Sequence, residues 1–284
     1  MSNFLENLGS IDRRYIFLII AIVVLLPLIF PLGLPVEPTN LTIDSFNAID
    51  KIPKDEKVLV SFDYGPSTKP EIHPMAIAVL RHLFTNGNRV IITCLWPDGL
   101  FMARQALQQV AIEEFDLTYG IDFVNLGYRP GNEAVIKGIT RSFPANFTVD
   151  SKAINIKEIP LMDGVQSLKD IGFIFSLSAG YPGSKEWVQY ASDPLKIKTS
   201  TGVTSIQVNE ILPFVKGGQL QGIIAGMPGA AEYEQLLINN DIHPVIGKAG
   251  KSMDAQSIAH LVIVLFIVIG NISYFVKRKK EKKY

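Results

Sequence analysis

The chain has 284 residues, with 27 basic and 27 acidic side chains. The last eight residues hold six cations and one acid, so the remainder carries a net charge of −5. An acidic remainder without a basic stripe excludes nucleic acid as an expected partner, and a single cysteine, Cys94, excludes an internal disulfide.

Residues 1–14 hold Glu6, Asp12, Arg13 and Arg14, which cancel in charge. They are expected to be a cytoplasmic N-terminus. An apolar run follows over 15–34, long enough for a transmembrane helix. Two arginines precede it and Glu37 is the first charge after it, which places its start inside the cell. The run exceeds the apolar core of a signal peptide and no small-x-small site follows it, so an uncleaved anchor is expected. Pro27 and Pro31 should kink or unwind its outer end. Residues 36–54 read as a stalk.

The middle of the chain alternates between two periods. Apolar, β-rich runs at 57–62, 89–95, 121–126, 172–177, 195–199 and 221–225 predict six strands. Between them, helical spacing covers 70–86, 98–119, 131–140, 184–191, 206–216 and 229–238. Asp98 stands where an N-cap belongs, and Gly87, Gly120 and the pair Gly217-Gly218 stand where helices stop. Cys94 lies in the second apolar run and reads as a small buried side chain.

Strands alternating with helices predict an α/β fold. The expected form is a Rossmann-like open, mainly parallel sheet with helices on both faces, flanked by one N-terminal and one C-terminal transmembrane helix. Six strand signals are too few for a closed eight-fold barrel. The α/β domain is drawn over 35–256, with an insertion at 141–170 whose length suits a lid, an edge hairpin or a binding surface. Residues 242–254 read as a second stalk.

A second apolar run at 257–276 carries no formal charge, and the cationic tail 277–284 follows it directly. That junction marks the cytoplasmic side. Both termini are therefore expected in the cytoplasm and the middle domain outside it, in a plasma or inner membrane. Asn271 lies deep in the second run, where an amide bonds either a partner helix or its own backbone.

In open parallel sheets, ligands bind beyond the carboxyl ends of the strands. Five loops at those ends are rich in Gly and Pro, and they carry Asp63, Ser67, Trp96, Tyr128, Arg129, Ser178 and Tyr181. The aromatics could stack on a planar or sugar-like ligand, with Asp63 and Arg129 fixing its polarity. The same residue types also serve plain turn geometry and capping. The chain contains no G-x-S-x-G elbow, no P-loop lysine motif, no G-x-G-x-x-G and no spacing of metal ligands. No cofactor or metal is expected.

The reading these residues support is a membrane-anchored module, non-catalytic, that binds a small ligand or a protein partner. It would work within a membrane complex or a homo-oligomer. The alternative is a membrane-anchored hydrolase or transferase using Asp63, His73 or Ser178. A third reading is a scaffold subunit acting through Asn271.

Overall fold

The computed structural model describes residues 12–281. Most of the expected cytoplasmic N-terminus, residues 1–11, and the end of the basic tail, residues 282–284, lie outside the described residues. The chain divides into a compact unit, Pro35–Ala249, and a second unit formed by the chain up to Leu34 with the chain from Gly250.

Helix α1 (Arg13–Ile29) has 17 residues, with Pro27 inside it. At 1.5 Å per residue it is about 25 Å long, slightly short of a hydrocarbon core of about 30 Å. It ends before the expected residue 34 for a local reason. Pro31 has no N–H and disfavours helical backbone at Phe30, which takes φ −117° and ψ 89° while its own N–H still reaches Leu26 O.

Within Pro35–Ala249 the strands are β1 (Lys57–Asp63), β2 (Arg89–Cys94), β3 (Phe123–Tyr128), β4 (Phe173–Ser178), β5 (Lys198–Val203) and β6 (Ile223–Ala225). They form one sheet in the order β3-β2-β1-β4-β5-β6, and every pairing is parallel. The Rossmann-like α/β reading holds. The order reverses between β1 and β4, and there Asp63 is the register partner of Ser178.

The helices of this unit are α2 (Asn40–Asp50), α3 (Lys69–Thr85), α4 (Gly99–Leu107), α5 (Glu133–Ile139), α6 (Phe143–Asn146), α7 (Ser184–Trp187), α8 (Asp193–Leu195), α9 (Val208–Lys216) and α10 (Gly226–Asn239). Helices α2, α3, α4 and α10 pack on one another, and α5, α6 and α7 form a separate group. The second group shares one apolar cluster with Leu59, Ile91, Val124 and Ile174 of the sheet.

Several elements differ from expectation. Residues 36–54 are not a stalk. Thr42, Ser45, Phe46 and Ile49 bury one face of α2, and Gly222 lets that helix approach so closely that a Cβ there would lie 2.3 Å from Ser45 N. Two of those four positions are polar, so the apolar stripe is faint. The long helix expected over 98–119 is α4 followed by a π-helical segment, Gln108–Glu114. Its side chains pair at five-residue spacing, Gln108 Nε2 to Glu113 Oε1 at 3.0 Å and Gln109 Nε2 to Glu114 Oε1 at 3.1 Å. Strand β5 begins three residues late because Lys196 takes a left-handed φ of +56°.

The insertion 141–170 is neither a lid nor a hairpin. It holds α6, three short 3-10 turns and one antiparallel bridge, Val149 to Asn155. Phe143, Phe147, Ile159, Leu161 and Leu168 bury it against Trp187 in the cluster of the second helix group.

Helix α11 (Lys248–Glu281) begins inside the expected stalk 242–254. Its stretch Lys248–Val276 is long and apolar enough to cross a membrane. In the unit that it shares with α1, the Asp254 carboxylate accepts the N–H groups of Leu32, Gly33 and Leu34 at 2.9–3.1 Å. Asn271 Nδ2 donates to Ile267 O at 3.0 Å, so its amide bonds its own helix.

Candidate functional site

At the switch point, Asp63 is fully buried. Its Oδ1 accepts Leu95 N–H at 2.8 Å, and its Oδ2 accepts Ser61 Oγ at 2.7 Å and Trp187 Nε1 at 3.0 Å. Burial pushes the carboxyl up to about 7, against the pull of those three donors. Both oxygens are engaged by protein, so Asp63 ties β1 to the loop after β2 and to α7.

The other rim residues fall into two groups. Trp96 and Ser178 meet the loop 180–183 in one junction, and Tyr181 projects from that loop. Trp96 Nε1 donates to Pro182 O at 2.9 Å, and Gly180 lies against the indole. Ser178 Oγ donates to Gly180 O at 3.1 Å, and a Cβ at Gly183 would sit 1.9 Å from that hydroxyl. Tyr181, 60% exposed, donates its hydroxyl to Glu133. Tyr128 and Arg129 stand exposed beside Cys94, with Arg129 N–H bonded to Cys94 O. Ser67 is exposed in the turn closed by Thr68 N–H to Gly65 O. Asp98 makes no side-chain cap bond.

The candidates for chemistry are bonded elsewhere. His73 Nδ1 pairs with the buried Tyr64 hydroxyl at 2.8 Å, while Asp63 and Ser178 have the partners given above. Among the described residues, no group of three or more His, Cys, Asp and Glu could hold a metal ion.

A cleft of about 720 Å³ lies beside α3 and α4. Lys69, His73, Ile77 and Arg81 recur every four residues and form one stripe of α3. Arg104, Gln105, Gln108 and Gln109 face it from α4 and the π-helical segment, and Glu113, Glu234, Gly247 and Lys248 complete the lining. At one end Lys69 Nζ donates to Gln105 Oε1 at 2.5 Å. At the other, Arg81 holds Glu114 with two bonds of 2.7 Å.

Four cations line the cleft with Glu113 and Glu234, and because Glu114 already neutralises Arg81, three cations stand against two acids. Of those acids, Glu234 accepts Ala249 N–H at 3.1 Å, and Gly247 leaves room for its carboxylate. Burial first, then the charges of Lys69 and Lys248, lower His73 to about 4. It is a neutral imidazole at physiological pH. The arrangement suits a small anion held by Lys and Arg donors. None of the seven rim residues lines this cleft. The four-residue spacing of Lys69, His73 and Arg81 was the sequence signal that would have found it.

No family model matches the chain, and no curated protein matches it. Among solved structures it is similar to a trehalose-6-phosphate synthase, OtsA, at 10% identity and a TM-score of 0.31. That alignment covers 86% of this chain and 46% of the other, so the chain spans less than half of its length. A likeness at that level carries no argument about function.

Proposed function

We propose that this chain is a membrane-anchored α/β module, non-catalytic, that binds a small anionic ligand. In this reading α1 and α11 both cross the bilayer, both termini are cytoplasmic, and Pro35–Ala249 lies outside. Support for the first span comes from its exposed apolar side chains, among them Phe17, Leu18, Leu25 and Leu26, and from Arg13 and Arg14 at its start. The ligand-bearing surface is the cleft along α3 rather than the strand-end rim.

The observation that carries this reading is the cationic lining of that cleft. Lys69, Arg104 and Lys248 converge on one concavity, beside Arg81, which Glu114 already pairs, and beside a histidine that stays neutral and adds no charge. Lys248, at the start of the C-terminal helix, belongs to the lining. The hydrolase or transferase reading gains no support, because Asp63, His73 and Ser178 are each bonded to other groups.

The test is calorimetric titration of the full chain in detergent with inorganic phosphate and with citrate. Binding of either, weakened about tenfold or more in the double variant Lys69→Ala/Lys248→Ala, is the expected result. Absence of binding, or equal affinity in the variant, would overturn the cleft as the site. Turnover of an ester or phosphoester panel by the same preparation would revive the enzyme reading.

A further inference from the structure

On the far side of α4 a second pocket, of about 470 Å³, opens at the β3 edge of the sheet. Leu107, Ile112 and Phe123 give it apolar walls, and Arg104 and Lys152 are its two cations; no acid lines it. The size is that of a small-molecule site. It shares Arg104 and Gln108 with the cleft along α3, but neither Lys69 nor Lys248 reaches it.

Three local departures from regular structure meet at this pocket. The first is a β-bulge. Between Ile92 and Cys94 strand β2 advances two residues while β3 advances three, from Asn125 to Tyr128, and Gly127 takes φ +83° to accommodate the extra one. Bulges of this kind re-aim side chains beside functional sites. The second is the π-helical segment, which supplies Gln108 and Ile112 to the wall. Such segments are rare and concentrate at functional sites.

The third is Asn125. It is 2% exposed and lines the pocket. Its Oδ1 accepts Gly127 N–H at 2.9 Å, which fixes the orientation of the amide, and its Nδ2 has no partner. A buried amide donor left unpaired is costly and calls for an explanation. The neighbouring acid, Asp150, accepts Tyr119 Oη–H and the N–H groups of Lys152 and Ile154. It does not engage the Asn125 amide. The Lys152 ammonium rests 3.4 Å from the centroid of the Tyr119 ring. Arg104 spends one Nη2 bond on Ser151 O at 3.2 Å.

We propose that this pocket binds a small carboxylate with an aromatic or branched aliphatic body. The apolar walls take the body. The carboxylate sits between Arg104 and Lys152 and accepts the Asn125 Nδ2 donor. The two sites share Arg104 and Gln108, but the cleft depends on Lys69 and Lys248 and this pocket on Asn125 and Lys152, so either can fail without the other.

The test uses the full chain in detergent, with benzoate and isovalerate as probes and ligand-observed magnetic resonance as readout. Benzyl alcohol and inorganic phosphate serve as controls. Benzoate or isovalerate should bind, Asn125→Leu should weaken that binding about tenfold, and Lys152→Ala should weaken it in a folded protein whatever the fate of the Asn125 variant. Lys69→Ala/Lys248→Ala should leave it unchanged. The proposal is overturned if neither acid binds, or if Lys152→Ala binds them as the wild type does. It is also overturned if benzyl alcohol binds equally well, which marks a merely greasy hollow, or if phosphate competes in the Lys69→Ala/Lys248→Ala variant, whose cleft is disabled, which marks a plain anion site.

Discussion

Gly99 opens α4 immediately behind the end of β1. A Cβ at this position would lie 2.0 Å from the Phe62 carbonyl oxygen and 3.2 Å from Cys94 Cβ. Both obstacles are part of the sheet, and the nearer is backbone, so Gly99→Ala forces the helix start to retreat by about 1 Å. Two effects oppose each other. Helix propensity favours Ala by at most about 1 kcal/mol. Overpacking against a fixed backbone costs about 3 kcal/mol. Sterics win by about 2 kcal/mol, which for a unit of this size lowers Tm by about 4–8 °C. Gly164→Ala is the control, because nothing lies within 4 Å of its Cβ and only its φ of +75° resists the change; its cost is about 1 kcal/mol. Thermal unfolding of both variants in detergent, followed by circular dichroism, gives the comparison. A Gly99→Ala protein as stable as the Gly164→Ala protein would refute the close seating of α4 on β1, and with it the geometry of the cleft wall.

Other outcomes follow from the same contacts. His82 is buried between Phe46, on which it stacks at 4.3 Å, and the Tyr233 hydroxyl. Burial lowers it to about 4, against the pull of Asp50. Its contribution is therefore complete above about pH 6.5 and is lost as pH falls towards 4. Asp63, raised to about 7, runs the other way: its contribution is present below about pH 4 and is lost as pH rises through 7. Urea unfolding should show the stability of wild type relative to His82→Gln shrinking between pH 6.5 and 4, and parallel curves would contradict the neutral buried imidazole. Gly222→Ala should destabilise by about 2 kcal/mol or more, since Ser45 N and Leu41 O block the new Cβ at 2.3 and 2.7 Å; a silent substitution would return residues 36–54 to a stalk. Asp254→Ala should expose the amides of residues 32–34 to faster hydrogen exchange in micelles, whereas unchanged protection would show that the carboxylate does not hold them.

The sheet was legible because its strands are buried on both faces and read as apolar runs, with Val58 to Phe62 the clearest. Helix α3 was legible from Met75, Val79 and Leu83. The misplaced parts share a physical cause, which is that their burial is carried by polar or scattered residues. Helix α2 buries Thr42 and Ser45 beside Phe46 and Ile49, and no periodicity count weighs a buried threonine. The insertion packs through single apolar residues on 3-10 turns, which have no period long enough to detect. The rim was found because glycine and proline mark it, but those residues serve the tight junction of Trp96, Gly180 and Gly183. The cleft escaped notice because its cations are spaced along a helix face whose partner lies more than 20 residues away in sequence, and the pocket behind it depends on a one-residue bulge that no local pattern announces.

The most direct test of the membrane arrangement is thiol labelling in intact cells with a membrane-impermeant maleimide. The native Cys94 is buried and silent, so Lys157→Cys, at an exposed position of the insertion, and Arg278→Cys, just past the apolar stretch that ends at Val276, report on each side. Lys157→Cys should label in intact cells, and Arg278→Cys only after permeabilisation. Labelling of both from outside, or of Arg278→Cys alone, would contradict an extracytoplasmic domain held by two spans.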